Sequence, residues 1–179
     1  MTRVFYDKDA DAAALENETV AVLGYGIQGR AQALTLRDSG IDVVVGNRAD
    51  EYRAQAERDG FSVSTIQEAV RLATILLVLV PDEVQPGIFK GEIAPGLMPG
   101  KALVFAHRIV VRYGLIEPPN DVDCLLLAPR LPGHYLRERF LAGWGVPAFV
   151  SVERDASGKA WPRLLGLARA LGVTRCGAI

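Results

Sequence analysis

The sequence is poor in the residues that most often build disulfide frameworks and metal sites. It contains 2 cysteines and 2 histidines in 179 residues. Cys124 and Cys176 lie far apart in apolar contexts, and they have neither the spacing of a disulfide framework nor that of metal ligands. We therefore expect both cysteines to be reduced packing residues, and we expect no metal site.

An excess of charge of one sign is also absent. The chain has 20 basic and 21 acidic residues and a formal net charge of -1, so it offers no electrostatic footprint for nucleic acid or an anionic membrane. The longest apolar run, residues 75–80, is too short to cross a bilayer, and residues 1–8 are polar without the apolar core of a signal peptide. We expect a soluble cytoplasmic protein without nucleic-acid or membrane partners.

Apolar runs of strand length alternate with segments of helical periodicity. Continuous runs rich in Val, Leu and Ile are typical of strands buried on both faces of a parallel sheet. The predicted strands are residues 19–23, 42–45, 74–80, 102–106, 123–127 and 147–152, with 173–179 as one more edge strand, and the predicted helices are 28–39, 51–59, 66–73 and 157–171. The alternation predicts an α/β fold with one domain over residues 1–179, built on a doubly wound, mostly parallel sheet.

A glycine motif lies between the first predicted strand and the first predicted helix. Gly24, Gly26 and Gly29 have the G-x-G-x-x-G spacing of a Rossmann-type dinucleotide-binding fold. The first glycine permits a tight turn, the second lets a pyrophosphate approach the backbone, and the third lets the helix pack closely. The alternative is a glycine-rich turn without a ligand, but the surrounding strand and helix favour NAD(P)H binding.

The choice between NADP and NAD depends on the end of the second predicted strand. An acidic residue usually binds the ribose hydroxyls of NAD there, but this strand ends in Val45-Gly46-Asn47-Arg48. Arg48 can pair with a 2′-phosphate, whereas Asp50 and Glu51 can accept hydrogen bonds from a free ribose. All three can also be solvated loop charges, and the pattern favours NADP weakly over NAD.

Stretches spread along almost the whole chain carry a more specific likeness. They include Val4-Phe5-Tyr6-Asp7, Gly24-Tyr25-Gly26, Gly29-Arg30-Ala31-Gln32, Pro81-Asp82-Glu83, Phe105-Ala106-His107, Pro118-Pro119-Asn120 and Pro132-Gly133-His134. With these residues the chain resembles the amino-terminal, NADP-binding domain of ketol-acid reductoisomerase, an enzyme of branched-chain amino acid synthesis. In that family a second, all-helical domain holds two magnesium ions that drive alkyl migration before NADPH delivers hydride.

Two departures from the family pattern affect the expected activity. Arg108 stands where the family has a glycine, and Arg130 and Leu131 stand where it has a lysine and a glycine. Arginine is a fixed, permanently charged fork, so replacing lysine by arginine is not conservative. Because the helical metal-binding domain would follow residue 179, we also expect this chain alone to lack full reductoisomerase activity.

Several polar residues follow predicted strands at the sheet edge where such folds bind ligands. The resemblance places His107 near substrate and nicotinamide, where it can donate a proton, although it can instead only cap its strand. Asp82 can contact the nicotinamide ribose or cap the helix that follows. Arg108, Arg130 and His134 can grip a substrate carboxylate together or can be surface charges.

The sequence thus predicts catalytic roles for His107 and Arg130 and a larger set of cofactor-binding residues. That set is Gly24, Tyr25, Gly26, Ile27, Gln28, Gly29, Asn47, Arg48, Asp50, Pro81, Asp82 and His107. The leading hypothesis is a stand-alone NAD(P)H-dependent reductase that acts on a carbonyl or imine of a small, anionic, 2-oxo acid-like substrate. The alternatives are a non-catalytic NAD(P)-binding module or subunit that needs a partner, and an excised fragment of a reductoisomerase. We expect a homodimer, because the domain that would cover the cofactor mouth is absent.

Overall fold

The strands form one sheet in the computed structural model, which describes residues 3–179. They are β1 (Thr19–Leu23), β2 (Asp42–Gly46), β3 (Val63–Ser64), β4 (Ile75–Val78), β5 (Ala102–Phe105), β6 (Asp123–Pro129) and β7 (Ala148–Arg154). Their order is β3-β2-β1-β4-β5-β6-β7, with parallel pairing from β3 to β6 and antiparallel pairing of β7 with β6. The predicted doubly wound, mostly parallel sheet is confirmed.

The α-helices alternate with these strands. They are α1 (Ile27–Asp38), α2 (Glu51–Arg58), α3 (Ile66–Leu72), α4 (Gln85–Ile88), α5 (Ile109–Arg112), α6 (Gly133–Leu141) and α7 (Ala160–Ala170). A π-helical turn at Phe89–Ile93 continues α4, and short 3-10 turns lie at Asp7–Asp9, Ala12–Leu15, Ala94–Gly96 and Val173–Arg175. The predicted helices correspond to α1, α2, α3 and α7.

Both faces of the sheet are covered, which explains the continuous apolar runs. Side chains alternate along a strand, so Val20 and Val22 join a core with Leu36 of α1, while Leu23 joins a second core with Val70 of α3. Every residue of β4 and β5 is buried. The carboxyl ends of the central strands therefore meet at one edge, which the helices leave open.

The prediction of an edge strand over residues 173–179 is wrong. Val173–Arg175 forms a 3-10 turn after Gly172, whose φ of 73° lies in the left-handed region. Ala178 alone forms isolated bridges, antiparallel to Phe5 and parallel to Ala148 of β7. The chain must reverse after α7, and a turn with buried Val173 accomplishes this where the apolar pattern suggested a strand.

Other differences follow from short elements and from surface position. The two-residue β3 and the four-residue α4 and α5 are too short to leave a periodic pattern, and α6 begins directly after the turn residue Pro132. Both cysteines are free, as expected. Cys124 is buried in β6, but Cys176 is exposed because it follows the terminal 3-10 turn, so its expected packing role is wrong.

Candidate dinucleotide-binding site

A cleft with a cavity of about 680 Å³ runs along the carboxyl edge of the sheet. Its walls come from the segments that follow β1, β2, β4, β5 and β6. This volume is in the usual range for small-molecule and cofactor sites. The cleft lies where open α/β sheets bind ligands, at the point where strand order reverses on either side of β1.

Each of the three glycines of the loop is suited to its position for a different steric reason. Gly24 has a φ of 96°, and a Cβ on it would lie 2.9 Å from Val80 Cγ1. A Cβ at Gly29 would lie 1.9 Å from the Gly24 carbonyl oxygen, so Gly29 permits close packing of α1 and does not itself line the cleft. A Cβ at Gly26 would meet no atom within 4 Å. Gly26 therefore opens the space into which a ligand can approach the backbone.

The start of α1 suits an anion. Gly26 is the N-cap and provides no side-chain cap, so the first amides of the helix have no partner within it. Amides at a helix N-terminus and the helix dipole together attract phosphate groups. The loop and helix therefore fit the pyrophosphate of a dinucleotide.

Tyr25 anchors the loop from below. Its side chain is buried, and its hydroxyl donates to Asp59 Oδ2 at 2.9 Å. Arg30 Nε donates to the same carboxylate oxygen at 2.7 Å, and this guanidinium holds the pKa of Asp59 below its ordinary value. Burial and the Asp59 carboxylate raise the pKa of Tyr25. Tyr25 thus offers its backbone to the cleft and keeps its ring in the core.

The segment after β2 forms a compact polar cluster. The buried Asn47 accepts a hydrogen bond at Oδ1 from Tyr25 N at 2.9 Å and donates through Nδ2 to Asp50 Oδ1 at 2.8 Å. Asp50 caps α2 by accepting from Tyr52 N and Arg53 N, and it accepts from Arg48 Nε at 2.8 Å. The Arg48 hydrogen bond lowers the pKa of Asp50. Asp50 is therefore already engaged, while Arg48 remains exposed at the cleft.

The segments after β4 and β5 bring Asp82 and His107 together. Asp82 Oδ2 lies 2.9 Å from His107 Nδ1, and both residues line the cleft beside Pro81. Of the two roles that the sequence left open for Asp82, the structure excludes helix capping, because Val84 is the N-cap of α4 and no side chain caps that helix. Gln85 Nε2 instead donates to Asp82 Oδ1 at 3.0 Å. Sequence reasoning missed Gln85, whose only signal was its spacing three residues after Asp82.

The structure separates the three residues proposed to grip a carboxylate. Arg130 lines the cleft and stacks over the Phe149 ring, 5.1 Å from its centroid. Arg108 pairs with Glu153 at 2.9 Å and lines a separate cavity of about 170 Å³. The His134 ring packs on Tyr135 with centroids 4.2 Å apart and lies outside the cleft. His107 lines both cavities, together with Arg130 in the cleft and with Arg108 in the smaller cavity, whereas His134 lines neither.

The loop that carries Arg130 is docked on the start of α1. Gln28 Nε2 donates to the Leu131 carbonyl oxygen at 2.9 Å. A Cβ at Gly133 would lie 2.1 Å from the Ile27 carbonyl oxygen, so the first turns of α1 and α6 are in direct backbone contact. The start of α1 and the loop that carries Arg130, which both line the cleft, therefore support each other.

Residues 3–179 contain neither a membrane-spanning helix nor a cluster of metal-ligating side chains. Within that range no helix has the length and apolar character needed to cross a membrane. In the same range, no cluster of three or more His, Cys, Asp or Glu side chains is arranged to hold a metal ion.

Comparison with known proteins places this geometry in a family. Residues 14–177 match the model of the acetohydroxy acid isomeroreductase NADPH-binding domain. The whole chain is 46% identical over 179 residues to the ketol-acid reductoisomerase (NADP(+)) of Caldivirga maquilingensis and 50% identical over 180 residues to that of Renibacterium salmoninarum. It covers 55% and 53% of these proteins.

A solved structure is also similar along nearly the full chain. It is an NADH-preferring ketol-acid reductoisomerase from an uncultured archean, with a TM-score of 0.98 and 39% identity over 99% of this chain and 56% of that one. The chain thus spans about half the length of the relatives it matches, and the resemblance drawn from the sequence motifs is confirmed. The chain belongs to the family of acetohydroxy acid isomeroreductase NADPH-binding domains.

Proposed function

We propose that this chain binds NADPH across the cleft and presents the nicotinamide for hydride transfer to a carbonyl or imine carbon of a small 2-oxo acid-like substrate. One observation carries the proposal. A single cleft has the glycine loop at its centre, the Asn47 cluster at one end and the Asp82–His107 pair at the other. A dinucleotide has the same three parts in the same order, namely adenosine, pyrophosphate and nicotinamide riboside.

The preference for NADPH is supported by the charges after β2. Gly46 places no carboxylate at the strand end, and Asp50 is engaged by Arg48 and by the first amides of α2. Arg48 uses only Nε in its bond to Asp50 within the described chain, so its terminal nitrogens can turn to a 2′-phosphate. One solved relative is named as NADH-preferring, so the choice must be measured on this chain.

Two residues are proposed to act on the substrate. The nicotinamide, when bound, supplies hydride to the substrate carbon. His107 then donates a proton to the oxygen or nitrogen that becomes basic, and Arg130 binds the substrate carboxylate with its guanidinium. These roles are supported by the positions of the two residues, which both line the cleft at the ends of the adjacent strands β5 and β6.

The experiment is a turnover screen with the full chain. NADPH and NADH are each incubated with a panel of 2-oxo acids and cyclic imines, and cofactor oxidation is followed by absorbance. Oxidation that depends on both protein and substrate is the expected result. Tight cofactor binding by calorimetry without oxidation on any substrate would instead favour a binding module, and the absence of cofactor binding would overturn the whole proposal.

A second candidate function is the cofactor-binding half of a ketol-acid reductoisomerase activity. The observation in its favour is that the chain covers 53% to 55% of the reductoisomerases it matches. In that case another polypeptide or further sequence supplies the metal-binding half. Turnover that appears only after addition of the separately produced carboxy-terminal part of a relative would support this candidate.

A further inference from the structure

A chain of hydrogen bonds connects the half-buried backbone of Val80, just after β4, to the exposed imidazole of His107. Gln85 Nε2 donates to the Val80 carbonyl oxygen at 2.8 Å and to Asp82 Oδ1 at 3.0 Å. The other carboxylate oxygen, Asp82 Oδ2, lies 2.9 Å from His107 Nδ1. Asp82 therefore uses one oxygen for a buried amide and the other for the ring at the cleft.

Gln85 holds the Asp82 carboxylate more rigidly than the exposed Asp82–His107 pair alone would. The His107 side chain is 59% exposed, and an exposed ion pair alone orients a side chain weakly. Gln85 is only 4% exposed, and its amide is held by a backbone carbonyl within the same turn. The Asp82 carboxylate is thereby fixed on its inner side, so that its outer oxygen faces His107 in one position.

The orientation of the Gln85 amide is unusual because it leaves one polar atom unsatisfied. Gln85 Oε1 is buried and has no hydrogen-bond partner among residues 3–179. A flipped amide would bring Oε1 against two acceptors, the Val80 carbonyl and the Asp82 carboxylate, so the two existing bonds determine the orientation. A buried unsatisfied oxygen costs stability, and such costs are typical of functional sites.

We infer that Asp82 and Gln85 are positioning residues that hold the neutral His107 ring as its Nδ1–H tautomer. A carboxylate can only accept, so the ring nitrogen facing Asp82 carries the proton. The hydrogen bond at one ring nitrogen determines the state of the other. Nε2 is then the nitrogen presented to a ligand, and it has no protein partner among the described residues.

The consequence for catalysis rests on the proposed function. In the imidazolium form, His107 gives the Nε2 proton to the substrate oxygen as hydride reaches the adjacent carbon. The Nδ1 proton stays on the ring and remains bonded to Asp82. The product is an alcohol, and His107 is left neutral in the tautomer that Asp82 already favours, so no ring rotation is needed before it is protonated again.

The tautomer can be measured directly in the ligand-free protein by long-range ¹H–¹⁵N correlation spectra of the imidazoles. The chain has only 2 histidines, so His134→Gln assigns both rings and His134 serves as an internal reference. We expect the Nδ1–H form to predominate for neutral His107. In Asp82→Ala the predominant form should change to Nε2–H, which is the form an imidazole without a partner prefers.

A second variant separates positioning from folding. Gln85→Met keeps the length of the side chain and removes the unsatisfied oxygen, but it also leaves the Val80 carbonyl without its donor, so the thermal unfolding midpoint should fall modestly while the protein stays folded. Its His107 spectrum should nevertheless shift toward the Nε2–H form. The matched control is Gln55→Met, because Gln55 Nε2 also donates to a carboxylate, Asp59 Oδ1 at 3.0 Å, but lies outside the cleft. That control should leave the His107 spectrum unchanged.

Two results would overturn the inference. One is a neutral His107 that is mostly Nε2–H in the wild-type protein, and the other is a His107 spectrum that neither Asp82→Ala nor Gln85→Met alters. Both readouts are independent of cofactor and substrate. A protein that binds no NADPH but shows the expected tautomer would refute the proposed function alone, and the reverse outcome would refute the positioning chain alone.

Discussion

A Cβ at position 29 would lie 1.9 Å from the carbonyl oxygen of Gly24, whereas a Cβ at position 26 would meet no atom within 4 Å. These two glycines belong to one motif but are subject to different steric constraints. Gly29 is required by the fold itself, and Gly26 is required only by what occupies the cleft. Substitutions at the two positions should therefore separate folding from binding.

Gly26→Val should abolish NADPH binding and leave the fold largely intact. The backbone at Gly26 has a φ of -70°, which any residue can adopt, and the added side chain would fill the space in which we propose that the pyrophosphate binds. Calorimetric titration with NADPH and a circular dichroism spectrum test the two halves of the prediction. Gly91→Val is a suitable control, since a Cβ there also meets nothing within 4 Å. Unchanged affinity in Gly26→Val would refute the placement of the pyrophosphate.

Gly29→Ala should destabilise the protein. The clash is with backbone atoms of Gly24, which cannot move aside as a flexible side chain would, so a loss of at least about 2 kcal/mol in unfolding free energy is expected. Urea denaturation measures this loss. Gly26→Ala is the matched control, and it should unfold close to wild type. Equal stability of the two variants would contradict the close packing of α1 on the loop.

Arg48→Gln should weaken NADPH binding and leave NADH binding nearly unchanged. A charged hydrogen bond to phosphate contributes about 1.5–3 kcal/mol, which corresponds to a loss of roughly tenfold to a hundredfold in affinity. Parallel titrations with the two cofactors provide the comparison. Arg58→Gln, at the opposite end of α2, controls for the loss of one positive charge. Equal effects on both cofactors would show that Arg48 does not contact the 2′-phosphate.

His107→Ala and Arg130→Ala should affect different kinetic constants once a substrate is found. Loss of a positioned general acid typically lowers kcat about a hundredfold or more, with little effect on cofactor affinity. Loss of Arg130 should mainly raise KM, because an anion clamp also holds the ground state. Steady-state kinetics across neutral pH measure both. Full activity of His107→Ala would assign the proton to another donor, such as water.

The chain should form a homodimer in solution. Two large apolar side chains close together in sequence are exposed at the end of α6, Trp144 at 66% and Leu141 at 65%. Exposed apolar surface is often covered by association, most often as a symmetric pair. Light scattering over a wide concentration range gives the mass. A monomer at every concentration would refute the prediction.

The central part of the fold could be predicted because its strands and helices have clear sequence patterns. The strands β1, β4 and β5 are buried on both faces and therefore read as continuous apolar runs, and α1 and α2 have clear starting signals in Gly26 and Asp50. The terminal residues 173–179 could not be assigned in this way, because an apolar residue such as Val173 is buried equally well in a turn.

The site was predictable only where backbone geometry determines it. The glycine loop follows from spacing, since steric limits on backbone atoms recur wherever the motif occurs. Side-chain pairs depend on the directions in which neighbouring loops point. The pairing of Arg108 with Glu153 therefore left no signal in the sequence, and the bond from Gln85 to Asp82 left only the spacing of the two residues. For the same reason the sequence left open whether Asp82 caps a helix, as aspartate often does, or contacts the cofactor. Only the structure excludes the capping role.

The contact between the first turns of α1 and α6 joins the glycine loop to the loop that carries Arg130. Gln28 Nε2 donates to the Leu131 carbonyl oxygen, and Gly133 packs on Ile27, so residues beside the glycine loop support the loop that carries Arg130. When cofactor binding shifts this contact, the free energy of holding the Arg130 guanidinium in its position changes as well. Thermodynamic linkage then makes the effect reciprocal, and an anionic substrate analogue should tighten cofactor binding by the same factor by which the cofactor tightens binding of the analogue.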